Sequence, residues 1–251
     1  MSVLTIDDLT VDYPGGVRAV DGVSLALGAG QALVLLGESG SGKTTVARTV
    51  LGLPGRGARV GGSVRLGSTE LLGLSEGELS RIRGRRIGYV PQDPSATLDP
   101  LRRIGAQLAE VLRRHGLAES RKAARAAALP VLAAAGLPEP SRVAAAYPHE
   151  LSGGLRQRAA IALAVACGPE LLIADEPTTA LDALVRTHIL DLFSTLRTEQ
   201  GLALLLVTHD LSAAVRIGGT LAVLRHGRLT VTGPVETLLV PTGTSPTGAH
   251  R

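Results

Sequence analysis

The spacing of apolar residues divides the chain into three stretches that predict different kinds of secondary structure. In the first stretch, short apolar segments alternate with glycine-rich turns, a pattern typical of β-strands. The predicted strands are Val3–Ile6, Val23–Leu27, Ala32–Leu36 and Ser63–Leu66. We expect a small antiparallel β layer that leads into a buried parallel strand, with a helix over Gly42–Gly52 after it.

The middle stretch, from about Ser75 to Ser141, is rich in Ala, Arg and Leu. Its apolar residues recur at helical spacing, as at Leu108 and Leu112, and Lys122–Ala135 is dominated by alanine. This stretch therefore predicts a helical lobe.

The last stretch alternates predicted strands and helices. They are strand Leu171–Asp175, helix Leu184–Gln200, strand Ala203–Thr208, helix Leu211–Ile217 and strand Thr220–Leu224. Such a β-α-β rhythm favours a parallel sheet covered by helices. From Pro234 onward, prolines and glycines recur, and we expect a loosely held tail.

Composition limits the classes of protein to consider. The 251 residues include one cysteine, Cys167, which excludes an internal disulfide framework and favours a cytosolic protein. We expect no signal peptide in Met1–Thr10, and no apolar run reaches the roughly 18 residues that span a bilayer. A membrane function would then need a partner that crosses the membrane.

The net charge of +4 is carried partly by two arginine clusters. They are Arg81, Arg83, Arg85, Arg86 and Arg102, Arg103, Arg113, Arg114. Such clusters can bind nucleic acid, cover a solvated face, or meet phosphates or acidic groups of a partner. No known nucleic-acid motif or interleaved aromatic residues accompany them, so we expect no nucleic-acid partner.

The strongest motif for chemistry is G-E-S-G-S-G-K-T, which lies between a predicted strand and a predicted helix. It matches the phosphate-binding loop G-x-x-x-x-G-K-[ST], in which glycines let backbone N–H groups surround phosphates at a helix N-terminus. Lys43 is expected to reach the β- and γ-phosphates, and the Thr44 hydroxyl to ligate Mg²⁺. The candidate nucleotide-binding residues are Gly37, Glu38, Ser39, Gly40, Ser41, Gly42, Lys43, Thr44 and Thr45.

A second motif ends the apolar strand Leu171–Asp175 in two carboxylates. Asp175 at the strand tip is a candidate Mg²⁺ ligand, and Glu176 is a candidate for orienting or deprotonating an attacking water. Glu176 could instead be a carboxylate favoured by a helix N-terminus. Together with the upstream loop, the motif predicts an ATPase or GTPase of the phosphate-loop class.

The third motif, L-S-G-G-L-R-Q-R over Leu151–Arg158, resembles the signature sequence of ABC ATPases. The resemblance implies that Ser152, Gly153 and Gly154 contact ATP held by a second subunit, in a head-to-tail dimer with two shared sites. Leu155 departs from the family, which has Gln there, but it lies outside the Ser-Gly-Gly cradle. Read alone, Ser152 is an ordinary helix N-cap.

Further residues resemble the family's remaining motifs. Gln92 resembles the Q-loop glutamine, which implies contact with Mg²⁺ and the attacking water, and Asp182 falls in a resemblance to the D-loop, Ala180–Asp182. His209 resembles the switch histidine at the γ-phosphate. Tyr13 resembles the aromatic residue that stacks on adenine; a Tyr packed in a turn is the alternative.

The resemblance implies an α/β fold of the P-loop NTPase class. It has a RecA-like parallel core, an N-terminal antiparallel β layer and an inserted helical subdomain. We place the core at 1–92 and 159–233, the helical lobe with the signature at 93–158, and a short tail at 234–251. The expected ligands are ATP and Mg²⁺. The expected partners are transmembrane permease subunits, a second ATPase subunit and, indirectly, an extracytoplasmic solute-binding protein, at the cytoplasmic face of the membrane.

Longer strings resemble a narrower group, the ATPases of peptide and nickel importers. They are Q-D-P-S-A-T-L-D-P from Gln92, Y-P-H-E-L-S-G-G-L-R-Q-R from Tyr147 and D-E-P-T-T-A-L-D from Asp175. The predicted function is ATP-driven import of a peptide or a nickel or metal complex. The cargo and the choice between homodimer and heterodimer stay open. The alternatives are a soluble ABC ATPase that acts on nucleic acid or ribosomes, and an inactive regulatory subunit.

Overall fold

The computed structural model of the protein describes residues 2–179 and 181–239, which form ten strands and nine α-helices. The strands are β1 (Ser2–Tyr13), β2 (Val17–Gly28), β3 (Ala32–Leu36), β4 (Arg59–Leu66), β5 (Thr69–Glu70), β6 (Ile87–Val90), β7 (Leu171–Asp175), β8 (Ala203–Thr208), β9 (Thr220–Arg225) and β10 (Arg228–Pro234). The helices are α1 (Lys43–Val50), α2 (Glu76–Ile82), α3 (Ile104–Arg114), α4 (Arg121–Ala134), α5 (Pro140–Ala145), α6 (Gly153–Val165), α7 (Ala183–Gln200), α8 (Leu211–Ile217) and α9 (Val235–Leu239).

The N-terminal layer is a four-stranded antiparallel sheet in the order β2-β1-β4-β5. Apolar residues of β1 alternate onto one buried face, as at Leu4 and Ile6, which is the pattern that predicted the strand. The strand is longer than predicted because it continues through the polar pair Asp7 and Asp8. Asp8 has a φ of +47°, and the pairing register shifts there, so a bulge carries the strand past the polar residues.

The second sheet has six strands in the order β10-β9-β3-β8-β7-β6. Strands β9 through β6 are parallel, and β10 is an antiparallel edge strand. β7 and β8 are buried at every position, as expected for central strands covered on both faces. This architecture confirms the predicted α/β fold with a parallel core and an N-terminal antiparallel layer.

Two apolar cores cover the two faces of this central sheet. One lies between the sheet, the antiparallel layer and α1, and the other lies beneath α6, α7 and α8. Helix α2 belongs to the first core, because Ile82 packs in it and the Arg83 Nε donates to the Leu51 carbonyl at 2.7 Å. The expectation that the helical lobe starts near Ser75 is therefore wrong, although the helix itself is present.

The helical lobe has a separate apolar core. It is formed by α3, α4 and α5 with one side of α6, and includes Ile104, Leu108 and Leu132. Helix α6 packs against both the helical lobe and the central sheet, because Ala162 lies in the core of the lobe while Ile161 lies in the core under the sheet. The predicted boundary between 158 and 159 lies inside this continuous helix.

Within residues 2–179 and 181–239, none of the helices has the length and apolar content needed to cross a bilayer. Of the predicted tail, residues 235–239 form α9, and 240–251 lie outside the described residues.

Candidate functional site

A glycine-rich loop joins β3 to α1, and its backbone requires glycine. Gly40 and Gly42 have φ of +79° and +106°, a region that residues with a Cβ avoid. A Cβ on Gly37 would lie 2.4 Å from the Leu224 carbonyl oxygen, which is backbone and cannot rotate away. The loop is thus held against β9 at the start of α1, where N–H groups favour an anion.

Lys43 is the first residue of α1, and its side chain turns back into this loop. The Nζ donates to the carbonyl oxygens of Gly37 at 2.8 Å and Glu38 at 2.7 Å. Only 4% of the residue is exposed, and this burial lowers its pKa, while Glu176 and Asp175 act in the opposite direction. The ammonium group is positioned inside the space that the loop encloses.

Asp175 ends β7 next to the start of α1. Its Oδ1 accepts a hydrogen bond from the Thr44 Oγ1 at 3.1 Å, and its Oδ2 accepts one from the Tyr89 hydroxyl at 3.4 Å. Burial raises the pKa of Asp175, and the hydrogen bonds from Thr44 and Tyr89 oppose that rise.

A neighbouring hydroxyl and carboxylate provide the oxygen ligands that Mg²⁺ prefers. In the described part of the chain, no group of three His, Cys, Asp or Glu residues could hold a metal ion by itself. Mg²⁺ in nucleotide sites uses few protein ligands and completes its shell with phosphates and waters, so Thr44 and Asp175 fit this ion. A divalent cation would also favour the charged form of the buried Asp175.

Glu176, Gln92 and His209 meet at the mouth of the loop. The Glu176 Oε2 accepts from the Gln92 Nε2 at 3.3 Å and from the Thr179 Oγ1 at 3.1 Å, and Oε1 lies 3.3 Å from the His209 Nδ1. The Glu176 φ is +49°, a strained value for a residue with a side chain. Its N–H donates to the Val207 carbonyl at 2.9 Å, which holds it at the sheet edge.

These groups border an open cleft of about 750 Å³. The lining residues are Ala19, Glu38, Ser39, Gly40, Gly42, Lys43, Thr44, Thr45, Gln92, Glu176, Thr179 and His209. Tyr13 is not among them, and its hydroxyl donates to the Pro54 carbonyl at 2.7 Å. Contact between Tyr13 and adenine stays a prediction, and Ala19 is an additional neighbour of the cleft.

The signature residues lie elsewhere on the surface. Ser152 caps α6, and its Oγ accepts from the Leu155 N–H at 3.4 Å. Ser152 and Gly153 are exposed, and a Cβ on Gly153 would meet nothing within 4 Å. In a single chain, the signature is not brought to the cleft.

Asp182 caps α7 by accepting from the Val185 N–H at 2.9 Å, while Ala180 of the same predicted loop lies outside the described residues. The nucleotide roles of Asp182 and the signature therefore stay predictions.

Sequence reasoning missed three supporting residues. Thr179 and Tyr89 bind the two carboxylates; Thr179 lies in the string that starts at Asp175, and Tyr89 lies three residues before Gln92. Arg186 donates to Asp210 at 2.9 Å and to the Leu181 carbonyl at 3.5 Å, so it ties the start of α7 to the residue after His209. No local motif marks Arg186, because its ion-pair partner Asp210 lies 24 residues further along the chain.

A phosphate-cradling loop that opens a helix beside a parallel strand tipped with carboxylates defines a P-loop nucleotide-binding protein. Residues 20–179 match the family model described as ABC transporter, and the chain belongs to that family.

Curated relatives match nearly the whole chain. The oligopeptide transport ATP-binding protein OppD of Mycobacterium tuberculosis is 43% identical over 94% of this chain and 39% of its own length. The dipeptide transport ATP-binding protein DppD of Bacillus subtilis is 40% identical over 92% of this chain and 70% of its own length. The chain spans about two fifths of the mycobacterial relative.

A solved structure gives the same fold. The dimeric structure of the ATP-binding cassette MJ0796, in a post-hydrolysis state with ADP and Pi, has a TM-score of 0.81 and 31% identity. It covers 92% of this chain and 98% of its own.

Proposed function

We propose that this chain is the ATP-binding and ATP-hydrolysing subunit of an importer for a small solute. The observation that carries the proposal is that Lys43, Thr44 and Glu176 line one cleft with Gln92 and His209, while Asp175 is hydrogen-bonded to Thr44. The relatives are named for transport, which favours this function over action on nucleic acid or ribosomes.

ATP binding is assigned to the glycine-rich loop and Lys43. The loop N–H groups and the α1 N-terminus surround the β-phosphate, and the buried ammonium group contacts the β- and γ-phosphates. Thr44 and Asp175 would hold Mg²⁺, which neutralises charge on the transferred phosphoryl group when bound. The Lys43 ammonium group has three donors and two of them now bind carbonyl oxygens, so contact with both phosphates requires at least one of these hydrogen bonds to be exchanged.

Hydrolysis is assigned to Glu176. Its carboxylate orients a water for in-line attack on the γ-phosphate and accepts a proton from it. Gln92 and His209 lie on the two carboxylate oxygens, so they set the carboxylate's direction and border the water's position. Since phosphoryl transfer depends on positioning and charge neutralisation, displacement of either neighbour should slow the step.

A second ATPase subunit would complete the site. Ser152 and Gly153 form a solvent-facing helix N-terminus that is suited to binding phosphate. Neither residue lines the nucleotide cleft of its own chain. The related cassette MJ0796 has a dimeric structure. We assign the signature of one subunit to the γ-phosphate held by the loop of the other, in either a homodimer or a heterodimer.

A permease is the expected membrane partner, and the segment Asp99–Arg102 is the proposed contact. Leu101 is 85% exposed at the start of the lobe. The segment is held from below by the buried Gln107, which accepts from the Asp99 N–H at 2.9 Å and donates to the carbonyls of Asp99 at 2.9 Å and Arg102 at 2.8 Å. We place the protein at the cytoplasmic face of the membrane, with a solute-binding protein acting on the far side.

The cargo is proposed from the relatives. OppD and DppD are named for oligopeptide and dipeptide transport, so a peptide is the favoured solute and a nickel or metal complex is the second candidate.

The test of catalysis compares Mg²⁺-dependent ATP hydrolysis by the normal chain, Glu176→Gln and Glu199→Gln, the last being an exposed carboxylate on α7. We expect Glu176→Gln to bind ATP normally and lose about 100-fold or more in turnover, because it loses only the proton acceptor. It should also accumulate as an ATP-bound dimer. Rapid turnover by Glu176→Gln would remove Glu176 from this role.

The test of cargo measures uptake of labelled dipeptides, oligopeptides and nickel in cells that lack the gene. The cells are complemented with either the normal chain or Glu176→Gln. Loss of peptide uptake, restored only by the normal chain, is expected. Loss of nickel uptake alone would make the protein part of a metal importer.

A further inference from the structure

A basic groove lies on the helical lobe, apart from the nucleotide cleft. It runs between α3 and α4 and has a volume of about 470 Å³. Its lining residues are Arg102, Ala106, Ala109, Glu110, Arg113, Arg121 and Arg125. Ala106 and Ala109 are small and more buried than the charged residues, so long side chains from both helices surround a shallow floor.

The charges in this groove are unbalanced. Arg102 pairs with Glu110, the one carboxylate of the lining. Among residues 2–179 and 181–239, no carboxylate lies within ion-pair distance of Arg113, Arg121 or Arg125. Three of the four guanidinium groups in the lining thus have no carboxylate partner in the described part of the chain, while Glu110 pairs with the fourth.

The start of α4 adds to this positive potential. Ser120 caps the helix by accepting from the Ala123 N–H at 3.1 Å, and the first turn contains no acidic residue. It contains Arg121 and Lys122 instead, with Arg125 one turn later. Cations at a helix N-terminus oppose the helix dipole, and the one neighbouring carboxylate, Glu119 before the cap, forms no ion pair with the arginines of the groove.

A second, less charged groove continues from the first. It shares Ala106 and Arg125 and is lined further by Arg103, Leu129 and small residues of α5. The Arg103 guanidinium lies 5.5 Å from the centre of the Tyr147 ring, which holds it at this edge. The continuous surface offers a cationic end for the anionic groups of a ligand and a less polar end for the rest of the same ligand.

We infer that the groove between α3 and α4 binds a compact ligand that carries two or more phosphate groups. The planar guanidinium fork matches phosphate oxygens in a bidentate manner, and arginines from two helices suit more than one phosphate. Such phosphates occur in free polyphosphate metabolites and in anionic lipid headgroups. The concave shape favours a free ligand over a flat membrane surface.

Calorimetric titration with inorganic tripolyphosphate tests the site. All proteins carry Lys43→Ala, so that the nucleotide loop contributes little binding. Arg113→Glu and Arg121→Glu are each expected to weaken binding at least about tenfold, since each converts a phosphate contact into repulsion. The control is Lys122→Glu, which makes the same charge change beside Arg121 outside the groove lining and should weaken binding less than about threefold.

Folding is checked by circular dichroism, and Arg113→Lys should retain part of the affinity because it keeps the charge but not the fork. In a second arm, sedimentation with cardiolipin–phosphatidylcholine vesicles separates the two sources of phosphate, because the cardiolipin headgroup carries two phosphates. Groove-dependent binding to vesicles without binding to tripolyphosphate would assign a lipid headgroup. The proposal is overturned if neither probe binds, or if Lys122→Glu weakens binding as much as the groove variants.

Discussion

The nucleotide cleft and the signature differ in how far one chain completes them. In the cleft, Lys43 already binds the carbonyl oxygens of its own loop, and Glu176 is contacted by Gln92 and His209 from distant parts of the sequence. At the signature, the Ser152 hydroxyl accepts a hydrogen bond from its own helix, and the space beside Gly153 is open. The side chains of the cleft are held in place by contacts within one chain, whereas the signature residues are exposed to solvent.

The difference indicates where each region's specificity arises. The cleft is fixed by backbone geometry, including positive φ at Gly42 and Glu176, which the surrounding sheet holds in place. The signature has low strain and ready donors, so it is suited to a ligand that arrives with another subunit. Substitution of Lys43 in the cleft should therefore lower ATP affinity, whereas substitutions in the signature should lower the rate of hydrolysis and leave ATP affinity nearly unchanged.

The largest expected effect belongs to Lys43→Ala. The ammonium group is the one cation within the loop, and we expect ATP affinity to fall about 100-fold or more because its contacts to two phosphates are lost. Equilibrium binding of a fluorescent ATP analogue measures this loss. Lys122→Ala, on the exposed face of α4, is the control, and equal affinities of the two variants would contradict the prediction.

Gly153→Asp should affect the other region. A carboxylate placed toward a partner's γ-phosphate repels it, so we expect hydrolysis to fall at least about tenfold while ATP binding by the single chain changes less than about twofold. Thr195→Asp, exposed on α7, controls for added charge. Turnover unchanged from the normal chain would exclude the signature from the site.

Alanine substitutions at a glycine of each region should show that the backbone around the nucleotide loop is packed more rigidly than that of the signature. The Cβ of Gly37→Ala would lie 2.4 Å from a backbone oxygen, whereas that of Gly154→Ala would lie 2.8 Å from the Val185 Cγ1, a side-chain tip. We expect Gly37→Ala to lower the free energy of unfolding by about 2–3 kcal/mol and Gly154→Ala by about 1 kcal/mol or less. Urea unfolding of both variants checks this order, and a reversed order would refute it.

The smallest predicted effect is a change in thermal stability caused by Asp175→Asn. Because burial raises the folded-state pKa of Asp175 above its ordinary value of 3.8, the charged carboxylate destabilises the fold at higher pH. The penalty is absent below the unfolded pKa and grows as pH rises to the folded pKa. Asp175→Asn should therefore raise the thermal midpoint at pH 7, with a difference that narrows toward pH 4. A lower midpoint at pH 7 would contradict this sign.

Much of the fold was predictable because its signals are local. Strands β7 and β8 and helix α8 have the predicted bounds, since apolar runs and flanking caps define them. Strand β6 was missed because it has four residues and contains Gly88, where a Cβ would meet the Ala164 carbonyl at 2.4 Å. That glycine reflects close packing by α6, which no local pattern reveals.

In the candidate site, too, features with local sequence signals were predicted and features that depend on distant contacts were not. The loop around Lys43 and the carboxylates after β7 form contiguous motifs, so sequence predicted them. The position of α2 and the bridge from Arg186 to Asp210 depend on contacts between distant segments, and helical periodicity does not specify what a helix packs against.

The Gln107 anchor has a mechanical consequence. Three hydrogen bonds from one buried amide join Asp99 and Arg102 to the first turns of α3, so this short segment has little compliance of its own. We therefore expect a load applied at Leu101 to move α3 together with this segment instead of bending the loop alone. Since α3 shares an apolar core with α6, such a movement would be passed to the helix whose first residues belong to the signature.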